Sequence, residues 1–367
     1  MALRCGIVGL PNVGKSTLFN ALTQTMKAEA SNYPFCTITP NIGRVEVPDR
    51  RLDKLAEIAK SKEILRSQID FVDIAGLVRG ASKGEGLGNQ FLSNIREVDC
   101  LLNVVRCFDD EDISHVEKIV DPSRDIELVQ TELILADMES LENRLQSLGK
   151  KNKAAGDVNL AEQGALMERI LTTLNRGEPA INTVISPEEE KSFKMLQLLT
   201  AKKQFFVCNV GEEDIGGGNS YTEMVGKYCS SNNCQCIICS AKIESEIAIL
   251  ETEEEKSEFL DALGLSEKGL DRVIKTSYNL LDLISFFTVG PKEAHSWTMK
   301  RGLAAPKAAG IIHTDFERGF IGAETIGYRD YIECGGEENC KVAGKMRLEG
   351  REYIVRDGDI MHFRFNV

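Results

Sequence analysis

The chain has 367 residues, 42% of them hydrophobic and 28% charged, and a formal net charge of −13 at pH 7. This length exceeds one ordinary domain and predicts two or three. The acidic balance argues against a protein that coats nucleic acid, although a local basic face is compatible with it. The sequence contains no run of about 18 apolar residues, so it predicts no membrane span. The eleven cysteines are scattered and follow no secretory segment, so we expect reduced thiols and a cytoplasmic protein.

Short apolar runs alternate with helical stretches in the first third of the chain, and two more such runs follow much later. Buried strands flanked by helices predict an α/β domain whose sheet is covered on both faces. The predicted strands are Leu3–Val8, Arg44–Val47, Ile69–Ile74, Leu101–Val105, Phe205–Cys208 and Cys236–Cys239.

A helical segment interrupts this pattern between residues 123 and 202. Asp121-Pro122 predicts a helix start, because proline suits the first helical position. Apolar residues then recur at helical spacing in two stretches. Ser186 and Glu189 form a capping box that predicts a further helix. We predict a helical hairpin inserted into the α/β domain. A coiled-coil-like arm is favoured over a packed helical subdomain.

The chain changes character again near residue 281, where short strand-like runs are separated by glycines. This pattern predicts a small mixed β domain. The predicted strands are Leu283–Val289, Ala309–Ile312, Tyr331–Cys334, Tyr353–Val355 and Ile360–Phe365. The predicted domains are therefore a nucleotide-binding domain (1–122 and 203–280), the helical insertion (123–202) and a C-terminal β domain (281–367).

A phosphate-binding loop follows the first predicted strand. Residues 9–16 read Gly-Leu-Pro-Asn-Val-Gly-Lys-Ser and precede a good helix, which is the context that this motif requires. Backbone amides and the helix N-terminus favour phosphate oxygens. Lys15 is predicted to reach the β and γ phosphates, and the Ser16 hydroxyl to bind Mg²⁺. The predicted nucleotide ligands of this loop are Asn12, Val13, Gly14, Lys15, Ser16 and Thr17.

Two further segments predict contacts to the γ-phosphate and its metal ion. Asp73 ends an apolar run about 60 residues after the loop, and we expect it to hold Mg²⁺, through water. The Gly76 amide is predicted to contact the γ-phosphate. Thr37 is either a switch threonine that completes Mg²⁺ coordination, which is favoured, or a surface loop residue. The glycine-rich residues 79–88 are expected to be mobile.

The base pocket is predicted after the strand at 205–208. Residues 209–212 read Asn-Val-Gly-Glu where GTP-binding proteins usually have Asn-Lys-x-Asp. Glu212 is a methylene longer than the aspartate that accepts from guanine, and Val210 replaces the lysine over the base. Losing such a matched pair erases discrimination on the order of 10⁴-fold. Asn209 still suits N7 and N6 of adenine, and Ser240-Ala241 resembles the loop that backs the base. ATP is thus expected to be preferred over GTP, and a guanine-specific GTPase is the alternative.

These motifs together resemble the Obg-like ATPase family, called YchF in bacteria. The likeness includes residues 9–16, Phe35-Cys36-Thr37, Asp73 to Val78, 84–91 and 209–212, and it covers the whole chain. Residues 308–316 resemble part of a TGS domain, a ubiquitin-like β-grasp. The resemblance implies an α/β P-loop NTPase domain with a helical insertion and a C-terminal β-grasp domain. It also implies ATP hydrolysis, ATP preferred over GTP, and binding to the ribosome or its large subunit.

The resemblance also suggests how hydrolysis proceeds. Leu77 stands where many relatives have a glutamine that orients the attacking water, so intrinsic hydrolysis is expected to be slow. By resemblance, His115 is the candidate that positions water, acting with Lys15. An ordinary half-buried histidine is the alternative. In related hydrolases an asparagine at the place of Asn12 helps to hold K⁺, and a neutral loop residue is an equal alternative.

Two charged or metal-like clusters stay ambiguous in the sequence. Cys229, Cys234, Cys236 and Cys239 lack the paired spacing of a zinc site, so core cysteines are favoured over zinc. Basic residues of the C-terminal domain form either a face for ribosomal RNA, to which only the resemblance points, or a solvated surface. They are Arg318, Lys341, Lys345, Arg347, Arg351 and Arg356.

Three classes of function compete. A regulatory hydrolase couples a slow ATPase to ribosome docking. A nucleotide-gated ribosome- or RNA-binding module has little turnover. A metabolic kinase needs an acceptor pocket, of which the sequence shows no sign.

Overall fold

A computed structural model describes residues 3–29, 42–74, 87–110, 119–155 and 158–366. The chain divides into two compact units. Unit 1 comprises Leu3–Gly43 and Asp70–Val273, and unit 2 comprises Arg44–Ile69 and Ile274–Val367. The predicted domain boundaries differ from this division, because they assign residues 44–69 to the nucleotide-binding domain.

The strands of the described residues fall into two sheets, six strands in each. In chain order they are β1 (Arg4–Val8), β2 (Ile42–Glu46), β3 (Glu63–Leu65), β4 (Gln68–Asp73), β5 (Cys100–Arg106), β6 (Lys203–Asn209), β7 (Cys236–Cys239), β8 (Leu283–Val289), β9 (Glu293–Lys300), β10 (Phe320–Gly327), β11 (Arg347–Glu349) and β12 (Asp359–Phe365).

The helices lie between these strands. They are α1 (Lys15–Glu29), α2 (Arg50–Ala59), α3 (Leu87–Arg96), α4 (Pro122–Ala155), α5 (Val158–Asn175), α6 (Glu190–Met195), α7 (Ser220–Ser231), α8 (Ala241–Ala248), α9 (Glu253–Ala262), α10 (Gly269–Leu280), α11 (Ala305–Ile312), α12 (Thr314–Arg318), α13 (Tyr328–Cys334) and α14 (Glu337–Val342). Among the described residues, no helix combines the length and hydropathy needed to cross a membrane.

The sheet of unit 1 has the order β2-β4-β1-β5-β6-β7. Strand β1 pairs in parallel with β4 and β5, and β6 pairs in parallel with β5 and β7. Their mostly apolar sequences fit strands buried on both faces; every residue of β5 is buried. The strands predicted from the sequence in this part of the chain are confirmed. Because parallel strands end at one edge, the residues after β1, β4 and β6 come together there.

The predicted helical hairpin is confirmed in α4 and α5. Helix α4 begins at Pro122, as expected, and the hairpin core buries Leu141 and Ile170 completely. The Asp137 carboxylate accepts hydrogen bonds from the amides of Leu199 and Thr200 and from the Thr200 hydroxyl. A buried carboxylate with three donors therefore joins α4 to the residues that lead into β6.

The sheet of unit 2 has the order β11-β10-β12-β8-β9-β3. Strands β8 and β12 form a parallel pair at its centre, whereas β8/β9 and β10/β12 are antiparallel. With α11 packed against one face, the strands of residues 283–365 form a β-grasp arrangement. Residues 44–69 join this unit for two reasons. Strand β3 extends the sheet beside β9, and α2 buries Leu52 and Leu55 in one core with Phe287 of β8.

Two predicted strands of this unit are helices. Ala309–Ile312 belongs to α11, where Pro306 occupies the first turn and alanines at helical spacing form the buried face. Tyr331–Cys334 ends α13, which Gly335 terminates in a left-handed conformation with φ 74°. Short apolar runs do not distinguish strands from helices by periodicity. Tyr353–Val355 contributes only an isolated bridge, Ala304 to Ile354.

The stability of unit 2 is expected to depend on pH through His295. This imidazole stacks on Trp297 with ring centroids 3.7 Å apart, and burial lowers its pKa from 6.5 to about 4. Between pH 6.5 and 4 the unfolded chain binds a proton at this histidine and the folded chain does not. The free energy of unfolding therefore falls as pH drops from 6.5 towards 4. The imidazole is only partly buried, so we expect a loss of about 1 kcal/mol.

Trp297 is the one tryptophan of the chain, so its fluorescence reports unfolding of this unit. Denaturant midpoints at pH 7.5 and 5.0 measure the loss. His295→Phe should flatten the difference, whereas His362→Gln, at an exposed histidine of the same unit, should leave it as in the wild type. An unchanged pH dependence in His295→Phe would contradict the assignment.

Candidate nucleotide-binding site

The loop between β1 and α1 has the backbone of a phosphate-binding loop. Asn12 and Gly14 both have positive φ, 62° and 91°. A Cβ atom at Gly14 would lie 2.1 Å from Nδ2 of Asn209, so glycine is required there on two grounds. Helix α1 starts directly after this turn, with Ser16 and Thr17 exposed in its first turn. Its N-terminus favours an anion at that position.

Lys15 and Asp73 meet at the carboxyl edge of the sheet. The register of β1 and β4 pairs Ile7 with Asp73, which ends β4 beside the loop. The Lys15 ammonium donates to the Asp73 carboxylate, and the lysine side chain is 9% exposed. An ammonium group, a carboxylate and the Ser16 hydroxyl on the next residue supply the groups that a phosphate chain and a hard cation need.

Asn209 joins the phosphate loop to the segment after β7. It ends β6, and its Nδ2 donates to the Val13 carbonyl while its Oδ1 accepts from the Ala241 amide, both at 2.9 Å. The side chain is buried, so these bonds are shielded from water. One amide side chain thereby fixes the distance between the phosphate loop and the candidate base loop. The Nδ2 amide carries two hydrogens, of which the bond to Val13 uses one.

The other predicted base-pocket residues lie near Asn209 in the chain or in space. The Val210 amide donates to the Cys239 carbonyl, and its side chain is buried in the core. Glu212 is exposed at the start of a short 3₁₀ turn, Glu212–Asp214. Ser240 is buried at the N-cap of α8. The exposed carboxylate of Glu212 is therefore the group of this set that can face a ligand.

The structure thus brings Gly14, Lys15 and Asp73 to one edge of the sheet and ties Asn209 and Ala241 to them. Three predicted site residues lie outside the described residues. They are Thr37, Gly76 and His115.

The sequence analysis missed Arg106, which organises the loop after β5. Arg106 is buried; its Nε donates to the Phe108 carbonyl and its Nη2 to the Asp110 carbonyl, each at 3.1 Å. Asn219 donates to the Cys107 carbonyl from the start of α7. The signal in the sequence is an arginine at the end of a mostly apolar strand, since a buried guanidinium needs several acceptors.

The donors for a metal ion are few. Among the described residues, no three His, Cys, Asp or Glu side chains converge into a metal-binding cluster. Mg²⁺ in nucleotide sites is held by one or two protein oxygens, waters and the phosphates themselves. The single carboxylate of Asp73, with the Ser16 hydroxyl next to Lys15 in the chain, fits that coordination.

A parallel sheet with a glycine-containing loop between β1 and α1, and an aspartate at the end of the adjacent strand, defines a P-loop NTPase. Comparison with known proteins identifies the family within this class. Residues 4–156 match the family model described as a 50S ribosome-binding GTPase. Residues 283–366 match the YchF-GTPase_C model, described as a protein of unknown function (DUF933).

Curated relatives match along their whole length. The chain is 52% identical to the ribosome-binding ATPase YchF of Bacillus subtilis and 49% identical to that of Escherichia coli O157:H7, each over 100% of both chains. It is 39% identical to the solved YchF GTPase of Schizosaccharomyces pombe, with a TM-score of 0.89, covering 99% of this chain and 97% of that one. The chain therefore belongs to the YchF family, and the family resemblance seen in the sequence is confirmed.

Proposed function

We propose that the chain is a cytoplasmic, Mg²⁺-dependent ATP hydrolase that acts as a ribosome-associated regulatory switch. The observation that carries the hydrolase is the convergence of Lys15 and Asp73 beside a helix N-terminus, in a family whose members are named ribosome-binding ATPases. A phosphate chain would lie along the loop amides, with the Lys15 ammonium on its β and γ oxygens. Lys15 would exchange its bond to Asp73 for bonds to phosphate.

Mg²⁺ fits the same edge of the sheet. Ser16, Asp73 and Thr37 would hold it, Asp73 through water. When bound, the ion would supply positive charge that offsets the negative charge of the phosphates during hydrolysis. The Asp73 carboxylate would supply negative charge that attracts the ion, and Lys15 would orient the phosphates. The Gly76 amide would contact the γ-phosphate.

ATP is proposed as the preferred nucleotide. Val13 and Ala241 hold the side chain of Asn209, whose second Nδ2 hydrogen would donate to N7, which all purines share. Selection between purines then falls to the exposed Glu212, because this segment supplies no short aspartate for guanine. The ATPase names of the relatives support the same choice.

Water positioning is proposed for His115, which lies five residues after Asp110. The residues that Arg106 anchors, up to Asp110, are the nearest described residues before it in the sequence. A second proposal assigns K⁺ to Asn12, whose positive φ sets it in the turn of the phosphate loop. If K⁺ acts there, turnover in K⁺ exceeds turnover in Na⁺ at the same ionic strength, and Asn12→Ala removes the difference.

The ribosome is the proposed partner, and this proposal rests on the names of the relatives. Basic and acidic side chains are nearly equal in number in unit 2, so the acidic excess of the chain lies in unit 1. Several residues of the predicted basic face are paired with carboxylates: Arg318 with Asp315, Lys345 with Asp330 and Arg347 with Glu349. A ribosomal RNA contact on this face would have to displace those pairs.

Affinity and turnover of ATP and GTP, measured side by side with and without ribosomes, test the proposal. We expect tighter binding of ATP and a ribosome-stimulated rate that His115→Ala lowers about 10²-fold without weakening ATP binding. His313→Ala, at an exposed histidine of unit 2, is the matched control and should retain the rate. Exclusive GTP binding would overturn the base assignment. Equal ribosome binding with and without nucleotide, together with no stimulated turnover, would favour a binding module.

A further inference from the structure

Asn219, at the start of α7, links the turn that carries Glu212 to the residue that follows β5. Its Nδ2 donates to Oδ2 of Asp214 at 2.6 Å and to the Cys107 carbonyl at 2.8 Å. Its Oδ1 accepts from the Thr222 amide at 3.0 Å. A backbone amide can only donate, so the side-chain oxygen is the atom that faces Thr222, and the orientation of the Asn219 amide is fixed. Its Nδ2 hydrogens therefore point at Asp214 and Cys107.

The bond to Asp214 restrains a turn that is followed by a flexible stretch of chain. Glu212 and Asp214 are the two ends of the 3₁₀ turn, and Gly216 and Gly217 follow it closely. Both glycines have open space where a side chain would lie. Glycine leaves the backbone more freedom than any other residue. The contact between Asp214 and Asn219 therefore closes a loop that its glycines alone would leave free to shift.

The bond to Cys107 connects the same turn with Asn209. The Cys107 amide donates to the Asn209 carbonyl at 2.8 Å, and the Cys107 carbonyl accepts from Asn219. The buried Arg106, directly before Cys107, donates to two carbonyls of the loop that follows, so the main chain at this point is held in place. One continuous set of hydrogen bonds therefore locates both Asn209 and the turn of Glu212, the two polar side chains of the candidate base pocket.

We propose that Asn219 is a positioning residue for selection of the base, an inference that rests on the proposed preference for ATP. A carboxylate discriminates between purines by the donors that it can reach. Guanine offers two adjacent donors, N1–H and N2–H, whereas adenine offers neither on that edge. Asn219 holds the turn in place, so the exposed carboxylate of Glu212 does not shift to meet both guanine donors. Loss of this restraint lets Glu212 adapt to guanine, and the preference for ATP falls.

Calorimetric titration of the full-length protein with Mg·ATP and with Mg·GTP tests this. Asn219→Ser removes both Nδ2 bonds and still caps α7, because serine and asparagine are similarly favoured at helix N-caps. Asp214→Ala removes the partner of Asn219 and leaves the cap intact. In each variant we expect the ratio of ATP affinity to GTP affinity to fall about tenfold. Asp214→Asn keeps an acceptor for Asn219, so its ratio should stay within about threefold of the wild-type ratio.

Thr252→Ala is the matched control, because it removes the side-chain cap of α9 in the same unit. It should lower the denaturant midpoint and leave the affinity ratio unchanged. If Asn219→Ser and Asp214→Ala lost ATP and GTP affinity by equal factors, while the wild type preferred ATP, this inference alone would be overturned. A wild type that binds GTP at least as tightly as ATP would overturn the base assignment, and the inference with it.

Discussion

Replacement of Lys15 by alanine is expected to abolish most of the nucleotide-dependent behaviour of the chain. The ammonium group lies beside the carboxylate of Asp73, at the N-terminus of α1. A hydrogen bond between charged groups contributes about 1.5–3 kcal/mol, so the affinity for Mg·ATP should fall roughly 10–100-fold. Turnover should fall by a further factor of about 10²–10³, because the same group offsets charge that develops in the transition state.

Calorimetric titration of Mg·ATP and single-turnover hydrolysis measure the two losses separately. Lys227→Ala is the control, because it removes the same charge from an exposed position on α7 of the same unit. Its affinity and rate should match those of the wild type. If Lys15→Ala bound Mg·ATP as tightly as Lys227→Ala, the phosphate site would have to lie elsewhere.

Residues that are constrained by backbone geometry were predictable from the sequence. The phosphate loop needs glycine at Gly14, because a side chain there would collide with Asn209. Its position between an apolar strand and a helix located the edge of the sheet, and therefore placed Asp73 as well. The strands of unit 1 were predictable because burial on both faces leaves continuous apolar runs.

Features that depend on contacts distant in sequence were not predictable. β3 has only three residues, and its partner β9 lies more than 200 residues later. No local pattern reveals such a pairing. The apolar residues of α11 have no spacing that distinguishes a helix from a strand. Their burial against the sheet of unit 2 makes the segment a helix. Tertiary packing decided both cases.

The candidate site shows the same division. The Asn-Val-Gly-Glu segment indicated the candidate base loop, but the sequence did not show that both polar atoms of Asn209 are bound to main-chain groups. The anchoring role of Arg106 was also hidden, because its acceptors are carbonyl groups, which have no sequence identity. Main-chain acceptors leave no motif, so such residues are found by geometry.

Asn209→Ala is the second large effect, and it should weaken both stability and nucleotide binding. The substitution leaves the Val13 carbonyl and the Ala241 amide without their partner in a buried position. Each unpaired group costs about 1–3 kcal/mol, so the free energy of unfolding of unit 1 should drop by about 2–5 kcal/mol. The phosphate loop and the base loop also lose their link, so ATP affinity should fall at least ~10-fold, equivalent to about 1.4 kcal/mol.

A matched control separates these two effects. Asn103, on the neighbouring strand β5, is equally buried, but its Nδ2 donates to the Gln204 side chain, which keeps a second partner in Gln130. Asn103→Ala should therefore cost less stability and leave ATP affinity within about twofold of the wild type. Asn209→Asp keeps an acceptor for the Ala241 amide but sets a carboxylate against the Val13 carbonyl, so its affinity should fall as in Asn209→Ala. Equal stability losses in the two alanine variants, with ATP affinity unchanged in both, would limit Asn209 to a purely structural role.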